Sequence, residues 1–473
     1  MFYGVLNLFS ISLICAGLFL VFGFDVASFD TLAPRQQKPR VLILTDISSL
    51  KARHLEPDDG QSMVRLMLYT NSLDVEGLIA SSNLGHGQRV QPELVHEVID
   101  AYARVQPNLI QHDPTYPTAA RLHALVKDGQ PKASPKLPVT TSVGEELDTE
   151  ASNWIIHVVD QPDSRPVWVC IWGGSADLAQ ALWKIQQTRS KEAVRTFVRK
   201  LRVRAISDQD STGGWIRQQF PELFFIHSRY VYRGTYRGGN TKLNDSLWVA
   251  TQVHNPANPL GMLYPNYQGG DIWTRQLGPV KEVKEGDTPS YLSLIPNGLN
   301  VAEQPELGGW GGLFTKTRAS LYLDKIDSTA AYVTDQTPYM ASVYRWRDAW
   351  QDDFLARLDW CIKPYNQANH YPNVVVNGDN SGQLIEQVVH PGKTVRFDAR
   401  QSTDPDRQAL HFQWQIYPSS TRNSVQLQGT DTSQLTVQIH SKAARQTIPL
   451  LLTVTDSGQP ALRQYRRILL RIK

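Results

Sequence analysis

The chain has 473 residues, 41% hydrophobic and 20% charged, which is the composition of a globular protein and excludes a disordered chain or a coiled coil. That length predicts two or three domains. The 48 basic and 45 acidic residues leave a net charge of +3, too little for a nucleic-acid footprint; three cysteines without a CxxC or Cys/His cluster exclude a disulfide scaffold and a zinc or redox centre.

Residues 1–24 carry no charge, and Leu13–Phe22 is almost unbroken apolar chain. The segment 1–30 is therefore read as a signal peptide, cut near Val26-Ala27-Ser28, or as a retained membrane anchor. Either reading places the remainder outside the cytoplasm, secreted or anchored at a membrane. Cys170 and Cys361 lie in hydrophobic surroundings and are expected to be buried thiols.

Val41-Leu42-Ile43-Leu44 has the continuous apolar character of a strand covered on both faces, and it ends in Thr45-Asp46. Pro57-Asp58-Asp59 then opens a helix with Met63, Leu66, Met67 and Thr70 at helical spacing. Val75–Ala80 reads as the next strand and stops at Ser81-Ser82-Asn83, before a helix that begins at Pro92. Val167–Ile171 runs into Trp172-Gly173-Gly174 and a helix Ser175–Lys184, and the strand around Leu201, Val203 and Ala205 finishes at Ser207-Asp208-Gln209-Asp210. This β-α-β-α order predicts a doubly wound, mainly parallel α/β domain over residues 38–364. Trp346, Trp350, Phe354 and Leu358 predict a helix packed on it, with 366–372 as linker.

Beyond residue 370 the period changes to two: Val395, Phe397 and Ala399; Leu410, Phe412, Trp414 and Ile416; Leu435, Val437 and Ile439; Leu450, Leu452 and Val454. About seven short strands over 370–473 predict an all-β immunoglobulin-like sandwich. Arg463, Arg466, Arg467, Arg471 and Lys473 interleave with apolar residues in the last strand, which reads as a half-buried edge strand with a solvated face.

The best strands of the α/β domain all end in polar or glycine residues, and ligands of such sheets bind beyond the carboxyl ends of the strands. Asp46, Asp58 and Asp59 stand out there. The adjacent pair suits capping of a helix start. Alternatively the three converge, and their mutual repulsion calls for a hard divalent cation, with all-oxygen ligation favouring Ca²⁺. Gly308-Gly309-Trp310-Gly311-Gly312 reads as a sugar-stacking rim or as a loop around a buried indole, and lacks the Lys-Ser/Thr of a phosphate loop. Asp404-Pro405-Asp406 reads as a turn or as a Ca²⁺ loop of the sandwich. Ser175 lacks a Gly-x-Ser-x-Gly context, and the histidines form no HExxH.

Val41-Leu42-Ile43-Leu44-Thr45-Asp46, Pro57-Asp58-Asp59 and Gly77-Leu78-Ile79-Ala80 resemble the opening of the nucleoside hydrolase fold. More closely, the chain resembles the nucleoside-hydrolase-like cellulose-binding proteins. That likeness extends through His112-Asp113-Pro114-Thr115-Tyr116-Pro117, Gly144-Glu145-Glu146, Trp172-Gly173-Gly174, Gly213-Gly214-Trp215-Ile216-Arg217, Gly286-Asp287-Thr288-Pro289-Ser290 and Ile295-Pro296-Asn297-Gly298-Leu299. It covers nearly everything after residue 38.

The resemblance implies a set of roles. Asp46 takes the place of the Ca²⁺ ligand that activates the attacking water, Asp59 and Asp287 those of further ligands, and Trp172 that of a backbone-carbonyl ligand. Asp58 and Asn83 match sugar-binding positions, and Gln209, Asp210 and Asn297 are carried over as substrate contacts. Three departures accompany it. The turn before Asp58 is longer than in nucleoside hydrolases, Gly286 stands where many carry an acid histidine, and Trp172 replaces a small residue, where it narrows the pocket or stacks on a sugar. Two functions are implied: an exported Ca²⁺-dependent hydrolase of N-glycosyl or ribosyl-like bonds, or a non-catalytic carbohydrate-binding protein for which cellulose is a candidate ligand. A nucleoside-like ligand and homo-oligomers belong to the first of these.

Overall fold

Strand β1 (Arg40–Thr45) is apolar at every central position because both of its faces are covered. Val41 and Ile43 join a core with Met63, Val95, Trp350 and Phe354; Leu42 and Leu44 join another with Ile155, Leu182 and Val203. The helices Pro57–Met67, Pro92–His112 and Arg347–Trp360 supply the first layer, and Glu150–Asp160, Ala176–Thr188 and Lys191–Lys200 the second. The computed structural model describes residues 1, 37–51, 57–82, 89–267, 269, 279–318, 320–327, 338–418, 424–443 and 445–473. The expected export segment and Asn83 lie outside the described residues. Among the described residues no helix is long and apolar enough to cross a membrane.

The sheet continues with β2 (Asp74–Ala80), β3 (Val126–Asp128), β4 (Val167–Ile171), β5 (Leu201–Ile206), β6 (Phe224–Ser228), β7 (Phe314–Arg318) and β8 (Leu321–Asp324). Among the described residues its eight strands run β3-β2-β1-β4-β5-β6-β8-β7, parallel throughout except for β7 against β8. The chain winds outward from β1 to β3, returns to the middle, and winds the other way from β4. β1 and β4 are therefore neighbours at a topological switch point, the place where open α/β sheets bind ligands. The doubly wound sheet agrees with the expectation; β3, β6 and the β7–β8 hairpin are additions, short segments that carry no clear period.

Residues 385–472 form the sandwich: β9 (Ile385–Val389), β10 (Thr394–Asp398), β11 (Leu410–Ile416), β12 (Val425–Gln428), β13 (Gln434–Ile439), β14 (Gln446–Asp456) and β15 (Arg463–Ile472). One sheet runs β10-β13-β12 and the other β11-β14-β15-β9, enclosing Phe397, Trp414, Val437 and Leu452. The edge-strand reading of β15 is overturned: it pairs with β14 on one side and β9 on the other. Two of its arginines, Arg466 and Arg467, are buried and not part of a solvated face, whereas Arg471 is exposed. Arg467 is fully buried and donates to the carbonyls of Leu299 (3.0 Å), Tyr417 (2.9 Å) and Gly308 (3.2 Å), so this basic residue sews the sandwich to the α/β domain.

Tyr417, Leu451 and Tyr465 belong to the same core as the first helical layer. Trp310 is buried edge-on to Tyr465, which decides the glycine-rich loop in favour of an anchored indole. Gly298 has φ +81°, and a β-carbon there would lie 1.9 Å from the Tyr465 carbonyl oxygen, so glycine is required at this junction. The segment 366–372 is packed rather than loose, since Trp360 donates to the Asn369 carbonyl (2.8 Å) and Asn369 to Asp456 (3.0 Å). Asp404 accepts from the backbone N–H groups of Asp406 and Gln408, the pattern of a closed turn. Cys170 and Cys361 are buried free thiols, as expected.

Asp177, fully buried at the start of the helix Ala176–Thr188, accepts from the Gln130 N–H (2.9 Å) and the Thr149 hydroxyl (2.7 Å). Burial, joined by the charge of Asp210, pushes its carboxyl from 3.8 up to about 6 against those bonds. A carboxyl that holds its proton more tightly folded than unfolded contributes stability at low pH, lost as pH rises through about 6. Asp177→Asn keeps an acceptor for both donors. Its stability relative to wild type should climb between about pH 4 and about pH 7, by up to roughly 3 kcal/mol, and level off above that. Thermal unfolding across that range checks this, and a constant difference would contradict it.

Candidate functional site

The site is assembled at the carboxyl ends of β1 and β4. The Trp172 N–H donates to the Leu44 carbonyl (2.7 Å) and extends the β1–β4 ladder by one step, which brings Gly173 against buried Asp46. A β-carbon on Gly173 would lie 2.6 Å from the Asp46 β-carbon and 2.7 Å from its Oδ1; only a glycine leaves Asp46 in place. The helix Pro57–Met67 begins beside this edge, with Asp58 and Asp59 in its first turn. Asp59 is buried and accepts a hydrogen bond from the Thr45 hydroxyl at the end of β1.

Asp287 arrives from far along the chain, on a segment that the same helix holds. Gln61 donates to the carbonyls of Pro265 (2.8 Å) and Glu282 (3.0 Å) and accepts from the Lys284 N–H (2.7 Å). Thr288 donates to Ser62 (3.0 Å). Arg65 grips Glu285 with two bonds, 2.6 and 2.9 Å, and both side chains are wholly buried. Gln61, Ser62 and Arg65 of one helix thus deliver Asp287 to Asp59.

Asp58, Asp59 and Asp287 each offer a carboxylate oxygen, and these atoms lie within 4.8 Å of one another. Burial, then the charges of Asp287, Asp46 and Asp58, push the Asp59 carboxyl well above the usual carboxylate range, against the lowering effect of the Thr45 hydroxyl. Lys284 brings an ammonium 3.6 Å from Asp58. Convergent, desolvated carboxylates of this kind are relieved by a proton or by a cation, and an all-oxygen donor set fits a hard divalent ion.

The other expected site residues take different places. The Trp172 indole is fully buried and donates to the Ser290 hydroxyl (2.8 Å), which donates in turn to the Asp287 carbonyl (2.6 Å). The ring braces the Asp287 turn from behind and is not a platform for a sugar. The Trp172 carbonyl accepts from the Gln209 side-chain amide, so Gln209 orients this backbone. Asp210 accepts from the Ser175 hydroxyl (3.2 Å), the Ala176 N–H (3.1 Å) and the Thr212 N–H (2.8 Å), and so fixes the turn after Gly173-Gly174. Burial raises its carboxyl above the ordinary value. Asn297 is not brought to the carboxylates: it lines a cleft at the opposite, amino-terminal edge of the sheet with Asn71 and Ser72, which precede β2.

Thr45, Lys284, Glu285 and Arg65 are the participants that sequence reasoning missed. The alternation of charge in Lys284-Glu285-Gly286-Asp287 was the available signal, though nothing in it names Arg65 as the partner. A β-carbon on Gly286 would lie 3.4 Å from the Tyr232 ring and 3.5 Å from Asp58 Oδ2, so this glycine faces the centre without supplying an acid.

Two family descriptions match the chain: cellulose-binding Sde182, nucleoside hydrolase-like domain, over residues 40–314, and cellulose-binding protein Sde0182, C-terminal domain, over 394–472. A solved structure of a nucleoside hydrolase-related hypothetical protein from Saccharophagus degradans, described as associated with carbohydrate metabolism, is 31% identical. The alignment covers 92% of this chain and 100% of that one, with a TM-score of 0.77. The protein therefore belongs to the nucleoside-hydrolase-like cellulose-binding Sde182 family. The PKD domain from the KIAA 1837 protein (18% identity, 22% of this chain, 92% of that chain) and human CDH23 EC21–23 (14%, 22% and 35%) match at TM-scores of 0.17, likenesses too slight to bear on function. No curated protein matches.

The Gly173–Asp46 contact yields a direct check. Gly173→Ala should lower the stability of the fold by roughly 1–3 kcal/mol, because Asp46 must move. The control Gly214→Ala, where the nearest atom is 3.9 Å away, should cost nothing. Equal melting temperatures for the two variants would contradict the packing argument.

Proposed function

We propose that the protein is an exported hydrolase of glycosyl bonds, N-glycosyl or ribosyl-like, that works with Ca²⁺ held by Asp46, Asp59, Asp287 and the Trp172 carbonyl. The observation that supports this reading is the convergence of four buried or half-buried carboxylates at the switch point, with Asp59 pushed upward by the other three. Bound there, Ca²⁺ would neutralise the acidic cluster and draw oxygen ligands of water and sugar into it.

Asp46 takes the proton of the attacking water, and a carboxylate base is needed because Ca²⁺ acidifies water far less than Zn²⁺ does. Asp58, the most exposed member, accepts a sugar hydroxyl, with Lys284 beside it holding its charge in place. The fixed negative charge stabilises the oxocarbenium-like transition state as the glycosyl bond lengthens. Gly286 donates no proton to the departing group, which favours substrates whose leaving group departs as an anion.

The second reading is a non-catalytic carbohydrate-binding protein. Both matched family descriptions name cellulose binding, and the glycine in place of an acid suits a site that holds sugar without cleaving it.

Calorimetry of chelator-stripped protein with Ca²⁺, beside Asp59→Ala, tests the metal. One site is expected in wild type and none in the variant; equally poor binding by both overturns the metal centre. Turnover of p-nitrophenyl ribosides and nucleosides should then require Ca²⁺ and fall about a hundredfold or more in Asp46→Asn. Ca²⁺ binding without turnover, together with retention of the full chain on microcrystalline cellulose, would decide for the second reading.

A further inference from the structure

The cleft that contains Asn297 has a volume of about 610 Å³ and lies between the two domains. Lys38 just before β1 and Asn71-Ser72 just before β2 place it at the amino-terminal edge of the sheet. It is thus the length of β1 away from the carboxylates, roughly 20 Å for a strand of that length.

Aromatic rings stacked in one direction form part of its wall. Tyr365 lies 3.8 Å from His370 at 17°, His370 lies 5.6 Å from Trp360 at 20°, and Trp360 lies 5.4 Å from His112 at 5°. The stack is held in position: His112 shares a bond with His370 (3.0 Å) and donates to the Lys363 carbonyl (2.9 Å), and His370 meets Asp406 on its other side (3.1 Å). Tyr365 tops the stack and stays 43% exposed although His370 covers one side of its ring, the disposition of an aromatic platform.

The polar wall completes the chemistry. Asn297 is only 2% exposed; its Oδ1 accepts from the N–H groups of Leu299 and Asn300, while its Nδ2 has no hydrogen-bond partner among the described residues. Buried amide donors rarely stay unmatched, so the wall holds a donor in want of an acceptor. Asn373 and Asn380 add neutral amides from the sandwich side. Of the charged groups of the wall, Arg357 is paired with Asp353 (2.8 Å), and Asp113 accepts from the Asn71 amide (2.8 Å) and the Thr115 hydroxyl (2.7 Å) in the field of Lys38. A ligand with a flat apolar face, many hydroxyls and no charge matches this lining.

We propose that the interdomain cleft is a second binding site, for a neutral oligosaccharide, with a pyranose ring stacked on Tyr365 and a sugar hydroxyl accepting from Asn297 Nδ2. It stands apart from the acidic centre and holds whether or not that centre hydrolyses anything. The two domains build it together, which gives the sandwich a part in recognition.

Calorimetry of the full chain with cellohexaose and with maltohexaose tests the proposal on wild type, Tyr365→Ala, Tyr365→Trp and Asp59→Ala. At least one hexasaccharide should bind wild type and Asp59→Ala alike. Tyr365→Ala should weaken that binding roughly three- to tenfold, and Tyr365→Trp should restore it. Tyr365 is exposed enough for its replacement to leave the fold intact, and hydrogen exchange of wild type should show protection of residues 363–373 on binding. Binding of neither sugar, equal affinity of Tyr365→Ala and wild type, or loss of binding in Asp59→Ala, which would put the sugar at the carboxylates, each overturns it.

Discussion

The buried pairing of Arg65 with Glu285 is the contact on which the acidic centre depends. It joins residues 220 apart in sequence, and both side chains are inaccessible to water. Arg65 also lies 3.7 Å from the Phe354 ring centroid and donates to Gln351 (2.8 Å), while the Tyr264 hydroxyl donates to Glu285 (2.5 Å). A buried ion pair adds little to stability compared with an apolar packing, but losing one partner costs about 3–5 kcal/mol because the other is stranded. Its value here is positional. It sits two turns along the helix from Asp59 and two residues before Asp287, and so sets how closely those carboxylates approach.

That approach is unfavourable by itself. Like charges in a desolvated pocket raise one another's pKa, and the Asp59 carboxyl is pushed upward because it is buried and faces three others. Structural cores have no use for such an arrangement, whereas functional centres regularly keep it. The surroundings are correspondingly rigid: Gly173 wedges Asp46, Trp172 and Ser290 brace the Asp287 turn, and Asp210 ties down the start of the next helix. The repulsion at the site is thus opposed by hydrogen bonds that brace the segments carrying the carboxylates.

Much of this architecture was legible in the sequence. A strand covered on both faces must be apolar throughout, so β1, β2 and β4 stood out, and the polar residues after them followed onto one edge of the sheet. Asp46, Asp58 and Asp59 stood out for the same reason, as aspartates at a strand end and a helix start, with capping as the alternative; Asp287, which completes the cluster with Asp58 and Asp59, came only from the family resemblance. What a side chain bonds to was not legible. Gln209 and Asp210 lie at the right edge but spend their hydrogen bonds on the Trp172 carbonyl and on the Ser175 turn. The arginines of β15 alternate as a solvated face would, yet Arg467 is buried because carbonyls of the other domain replace its water. Asn297 belongs to a recognisable motif whose position depends on the packing between domains, which no local period encodes.

The central claim is that Asp46, Asp59 and Asp287 surround a single hard cation at the junction of β1 and β4. The most direct measurement is the anomalous difference map of crystals soaked in Tb³⁺, a Ca²⁺ surrogate with strong anomalous scattering. The account predicts one dominant peak among those three carboxylates, within bonding distance of each and displaced by excess Ca²⁺. A map with no peak there, or with its strongest peak at another acidic surface, would contradict it.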